Sequence, residues 1–132
     1  MTPGTDVRTA SRRDAGWWCS WGFIAIAVLH MAYGLVAYRS DARDLLGEGL
    51  GGASGDAGRE RFFWLMLGGP AMLLAGLWSR VEFLRTGRVP RAVAWYAAFL
   101  GALVLLMPDS GFWLFIPLAA LAFRASSRPK AK

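Results

Sequence analysis

The sequence predicts an all-α integral membrane protein, a bundle of four transmembrane helices with its N-terminus and C-terminus both cytoplasmic. Three observations predict it. Of 132 residues, 55% are hydrophobic and only 18% charged, where a soluble domain carries about 25% charge, and mean hydropathy is +0.36. The charges are almost absent from four apolar stretches and crowd between them, which is the membrane pattern. The tryptophans gather at the ends of those stretches, where an indole keeps one end wet. The length has room for a single domain, residues 1–132.

The first stretch, 16–38, has 23 residues without a formal charge and covers about 34 Å as a helix, enough to cross a bilayer. The second, 62–79, has 18 residues, or about 27 Å. Pro90 precedes the third, 92–107, and suits a helix start; its 16 residues are short for a span. The fourth is apolar only over 112–123, so it is extended to 108–126, with Pro108 in its first turn and Asp109 and Arg124 near the two membrane surfaces. Trp17, Trp18 and Trp21 open the first span, Trp64 and Trp78 bracket the second, and Trp95 and Trp113 open the third and fourth. Their other reading is an aromatic cage for a cation.

Lys and Arg counts set the topology. Four spans with the N-terminus inside put 11 basic residues inside and 4 outside, whereas three spans give 7 against 8 and erase the positive-inside bias. Net charge is +6, but its segregation between apolar stretches excludes a nucleic-acid reading. The single cysteine, Cys19, excludes an internal disulfide, and the single histidine, His30, excludes a two-Cys/two-His zinc site within one chain. No metal or cofactor site is expected. Heavy Ala, Gly and Arg usage matches a GC-rich bacterium, and with the four spans and the positive-inside bias the expected location is a bacterial cytoplasmic (inner) membrane.

Ser11-Arg12-Arg13 resembles a twin-arginine export signal, but Asp14, Ala15 and Gly16 follow where hydrophobic residues would continue it. The arginines read as a topology anchor, and the first span is too long for a cleaved signal core. In the outer loop, 39–61, Ser40 can cap a short surface helix carrying Leu45 and Leu46, and 47–58 is too glycine-rich for regular structure. Gly47, Gly49 and Gly52 satisfy G-x-G-x-x-G without the strand and helix that a nucleotide site needs. Gly68-Gly69-Pro70 predicts a kink that leaves the Met66 carbonyl without its donor, and Pro117 does the same to Trp113. Ala94, Ala98 and Ala102, and Ala71 with Ala75, form small-residue stripes suited to helix contacts, within the chain or between copies in a homo-oligomer.

His30 is the fifteenth of 23 residues in the first span, and an ionisable group at the midplane is a functional candidate. Helical spacing puts Ile26, Tyr33 and Gly34 on its face. A neutral imidazole offers one donor and one acceptor for a ligand hydroxyl or carbonyl; equally, it can act as glue to a facing carbonyl freed by a proline. The acids form no pair within a span. Glu82 lies among Arg80, Arg85 and Arg88, where a solvated ion pair is the ordinary expectation, and Asp109 sits in a Pro-Asp-Ser-Gly turn.

Gly16-Trp17, Leu29-His30 followed by Gly34, Phe63-Trp64, Gly87 with Pro90, and Pro108 with Ser110-Gly111-Phe112-Trp113 come in an order and spacing that resembles a family of small bacterial membrane proteins, domain of unknown function 6463. The resemblance runs over 16–123. It implies a four-helix membrane protein with no known activity, and it directs attention to His30 and to the turn holding Ser110 and Trp113. The candidate ligand-binding residues are therefore His30, Tyr33, Gly34, Ser110 and Trp113.

Three functions stay open at this point. One is a non-catalytic membrane protein that binds lipid or an apolar small molecule or assists a membrane partner. Another is a membrane enzyme acting on an isoprenoid, quinone or lipid through His30 and Tyr33. The third is an oligomeric small-solute carrier, which needs a polar path through the spans.

Overall fold

A computed structural model of the chain describes residues 4–49 and 56–127, with side chains from residue 14 onward. Among the described residues it is all-α: α1 (Gly4–Ala37), α2 (Arg39–Glu48), α3 (Ala57–Thr86), α4 (Arg91–Ala102) and α5 (Phe115–Ser126), with 3₁₀ turns at Leu103–Leu105 and Gly111–Leu114. Two helices, Asp14–Ala37 within α1 and Ala57–Thr86, are long and apolar enough to cross a membrane. The chain divides into two compact units, 24–74 and the remainder (1–23 with 75–132).

The helices run past the apolar stretches because a charge at a helix end does not stop a helix; capping chemistry does. Asp56 starts α3. Its Oδ1 accepts from the backbone N–H of Gly58 at 2.9 Å and of Arg59 at 3.1 Å, filling two of the orphan donors of the first turn. Gly87, at φ +70°, ends it, and its N–H returns to the Phe83 carbonyl at 2.8 Å, the left-handed termination that glycine favours. Pro90 then sits at the cap of α4.

Four expectations need correction. Ser40 caps nothing: α2 begins at Arg39 with Tyr38 at its cap position and no side-chain cap. Regular structure reaches into both ends of 47–58, since α2 takes in Gly47 and Glu48 and α3 starts at Ala57; the short helix expected before it is present, with Leu45 buried and Leu46 86% exposed. Pro108 does not open a helix; the Ser110 N–H bonds the Met107 carbonyl at 3.1 Å in a turn, and helical structure resumes at Gly111. Pro117 is the third residue of α5, where its missing N–H costs little, so it starts a helix and does not kink one. The helix around Pro70 is continuous from Ala57 to Thr86. Of the Gly47, Gly49, Gly52 match, Gly52 lies outside the described residues, as do Arg128, Lys130 and Lys132.

In the unit holding both termini, α4 and α5 pack as a hairpin around Val93, Ala94, Ala97, Leu100, Phe115, Leu118 and Ala122, all buried. Its open end is tied by the Val89 N–H to the Ala125 carbonyl at 3.3 Å. Near its tip, a Cβ at Gly101 would meet backbone atoms of Phe115 and Ile116 at 3.4–3.5 Å. Phe23 of α1 is fully buried and stacks on Tyr96 and against Phe115, ring centroids 6.1 and 5.7 Å away. Ala98 is half-buried and Ala102 exposed.

Candidate functional site

In the 24–74 unit, α1 presents His30, Met31 and Gly34 to α3, in line with the fully buried Ala27. This i, i+3, i+4, i+7 row is one helical face. Glycine makes the approach possible at two positions: a Cβ at Gly34 would collide with the side chains of Leu65 and Met66, and one at Gly69 with Met31, while a Cβ at Gly68 would stand 3.6 Å from His30 Nε2, an ordinary contact. His30, half-buried, places Nε2 3.0 Å from the Leu65 carbonyl oxygen. A carbonyl only accepts, so Nε2 donates and the neutral ring keeps Nδ1 as its acceptor. The partner is Leu65, one residue before the Met66 carbonyl that Pro70 frees.

Tyr33 does not share this face. One residue from Gly34, it is turned about 100° away and is 63% exposed. The structure thus brings His30 and Gly34 together against α3 and leaves the Tyr33 ring outside the contact.

Ser110 and Trp113 belong to the other unit, in the turn between α4 and α5. The Ser110 hydroxyl donates to the Met107 carbonyl at 2.5 Å and accepts from the Phe112 N–H at 3.4 Å. Trp113 Nε1 donates to the Pro108 carbonyl at 2.8 Å. Both polar groups hold their own turn, and the Trp113 ring stays 56% exposed.

Sequence reasoning missed a buried polar line in the same unit. Ser20 and Ser79 are both fully buried with their hydroxyls 3.2 Å apart, and the Ser20 hydroxyl also donates to the Gly16 carbonyl at 2.9 Å. Beside them, Arg80 lays its guanidinium over the Trp21 ring, 5.3 Å from the centroid, with Nη1 buried and lacking a hydrogen-bond partner. This is a cation–π contact of a kind that holds a cation without an acid. Gly16 with Ser20, a small residue at each end of a four-residue step, was the available signal.

The charged groups elsewhere divide in two. Beside the α3 cap, Arg59 pairs with Glu48, and the Arg59 and then the Gly58 N–H groups hold the Asp56 carboxyl below its ordinary pKa. Glu82, in contrast, makes no ion pair among the described residues despite its three neighbouring arginines. No group of three His, Cys, Asp or Glu side chains is placed to hold a metal among the described residues.

The model of a family of unknown function, DUF6463, matches residues 14–129. The chain belongs to this family. No curated protein and no solved structure matches it. The DUF6463 match includes all five candidate residues and the whole of α2 to α5.

Proposed function

We propose that this DUF6463 protein is a small multi-pass protein of the bacterial cytoplasmic membrane that binds lipid or an apolar small molecule beside His30. The observation that carries the reading is an inverted distribution of side-chain size. Small or polar residues dominate the fully buried positions: Cys19, Ser20, Ala27 and Ser79 are all 0% exposed, with Phe23 the one large side chain buried as completely among the described residues. Large apolar residues face outward, including all seven tryptophans, and only 28% of each candidate membrane window is buried. Water would penalise so much exposed apolar surface. Lipid does not, and helices in lipid meet through small residues.

On this reading α1 and α3 cross fully and the α4–α5 hairpin makes two short crossings. With their 3₁₀ turns, the two arms of the hairpin reach about 24 Å and about 26 Å against a hydrocarbon core of about 30 Å, a shortfall that local thinning can absorb. Arg91 and Arg124 both stand at the hairpin's open end, on the basic, cytoplasmic side. The Nδ1 acceptor of His30 is the polar handle for a ligand hydroxyl.

The test is mass spectrometry of small molecules that co-purify with the detergent-solubilised protein, comparing the natural chain with His30→Ala and Tyr33→Phe. A discrete apolar compound lost in His30→Ala and kept in Tyr33→Phe is expected. Only bulk lipid, equal in all three samples, overturns the His30 site.

A further inference from the structure

The last two turns of α3 and the segment that follows enclose a shallow groove of about 520 Å³, within the usual size range of ligand sites. Trp78, Glu82 and Thr86 line one side, spaced four residues apart along one face of the helix. Arg88, Val89 and Pro90 line the other. The Gly87 turn places them there: Thr86 Oγ1 donates to the Glu82 carbonyl at 2.9 Å and accepts the Arg88 N–H at 3.3 Å, so the linker is bent back on the helix end. Neither Glu82 nor Arg88 has an ion-pair partner among the described residues, and they do not pair with each other.

The groove therefore has in its lining a carboxylate one helical turn from an indole and an arginine, neither of them ion-paired among the described residues. Val81 and Leu84, exposed on the neighbouring faces of α3, continue the apolar surface up to its rim. The geometry points to a binding site for the headgroup of a zwitterionic phospholipid, its ammonium group toward Glu82 and Trp78 and its phosphate toward Arg88. An ammonium is held by a carboxylate and an aromatic face together, and a phosphate by the fork of an arginine. An anionic headgroup would satisfy Arg88 alone and set its charge against Glu82. The site rests on the membrane reading above, since it places the groove at the level where headgroups lie.

The experiment uses the full chain. Membranes from expressing cells are first separated from the soluble fraction, and the protein is extracted with a mild detergent. It is then mixed with equal amounts of phosphatidylethanolamine and phosphatidylglycerol of identical acyl chains, and retained lipid is read by native mass spectrometry. Phosphatidylethanolamine is expected to be retained about fivefold over phosphatidylglycerol, the ratio that one partly screened ion pair supplies. Glu82→Gln, isosteric and at a half-buried position, brings the ratio to near one with an unchanged melting temperature. Arg88→Gln, at an exposed position, lowers retention of both lipids. Equal retention by the natural chain, preference for phosphatidylglycerol, or a preference that survives Glu82→Gln overturns the headgroup site and leaves the membrane reading standing. Recovery of the protein in the soluble fraction before detergent is added overturns both.

Discussion

The two buried serines allow an asymmetric prediction. Ser20 has one hydroxyl hydrogen and gives it to the Gly16 carbonyl at 2.9 Å, so the 3.2 Å contact with Ser79 must be Ser79 donating to Ser20. Ser79→Ala removes an incoming bond from Ser20, whose own hydrogen stays satisfied, and should cost about 0.5–1 kcal/mol. Ser20→Ala strips the acceptor from a Ser79 hydroxyl that is 0% exposed, and a buried unsatisfied donor costs about 1–3 kcal/mol. The gain in helix propensity from Ser to Ala is common to both and cancels. Cys19 also interacts with Ser79, but a thiol bond is too weak to reverse the order. The Ser20 variant is therefore less stable than the Ser79 variant by about 1 kcal/mol, and the double variant costs less than the sum of the singles. Titration of the micelle-bound protein with sodium dodecyl sulfate, followed by far-ultraviolet circular dichroism, gives all three values. A Ser79→Ala cost equal to or above that of Ser20→Ala, or strict additivity, refutes the assignment of the hydrogens.

Asp56→Ala should lower the melting temperature at neutral pH. Because the folded carboxyl titrates below its ordinary value, its stabilisation is complete above about pH 3.9 and is lost as pH falls through the folded pKa; the gap between the two proteins should close under acid, and a gap constant from pH 7 to pH 2 contradicts the cap. Gly69→Ala should destabilise, since its Cβ meets Met31 close to the backbone, although alanine favours a helix by about 1 kcal/mol. Gly47→Ala, in α2 with nothing within 4 Å of the new Cβ, should leave stability equal or raise it; melting curves that rank the two the other way break the packing argument. Trp113→Phe removes the 2.8 Å bond to the Pro108 carbonyl and should cost about 0.5–1.5 kcal/mol, seen as a lower melting temperature with an unchanged helix signal.

Helix positions were legible because apolar length and the punctuation at Pro90 survive in the sequence, although the stretch 62–79 understates a helix that runs Ala57–Thr86 and ends at Gly87. Helix faces were harder. Residues four apart drift by about 40° per step, so Ala94, Ala98 and Ala102 diverge by about 80° along α4, and the buried row instead runs through Ala94, Ala97 and Gly101. The same geometry separates Tyr33 from His30 and Gly34. Ser40 and Pro117 misled for a different reason: cap and proline signals locate a helix start to within a few residues, and the neighbouring turn decides which residue takes the role.

Face selection in such a chain cannot follow hydropathy alone, because both sides of a helix are apolar; small residues mark the closest approaches, and a few large ones such as Phe23 and Phe115 fill the spaces between. That is why Gly69, which reads with Gly68 as a break beside Pro70, sits in the structure against Met31 of α1, where a Cβ would have no room. The polar contact of His30 depends on that approach. Its ring reaches the Leu65 carbonyl of α3 beside Gly68, where an added Cβ would stand 3.6 Å from Nε2 in ordinary contact. Gly34 and Gly69 set the approach of the two helices, since a Cβ at either would collide with the facing side chains, and the imidazole adds to that packing face its one polar contact across to α3.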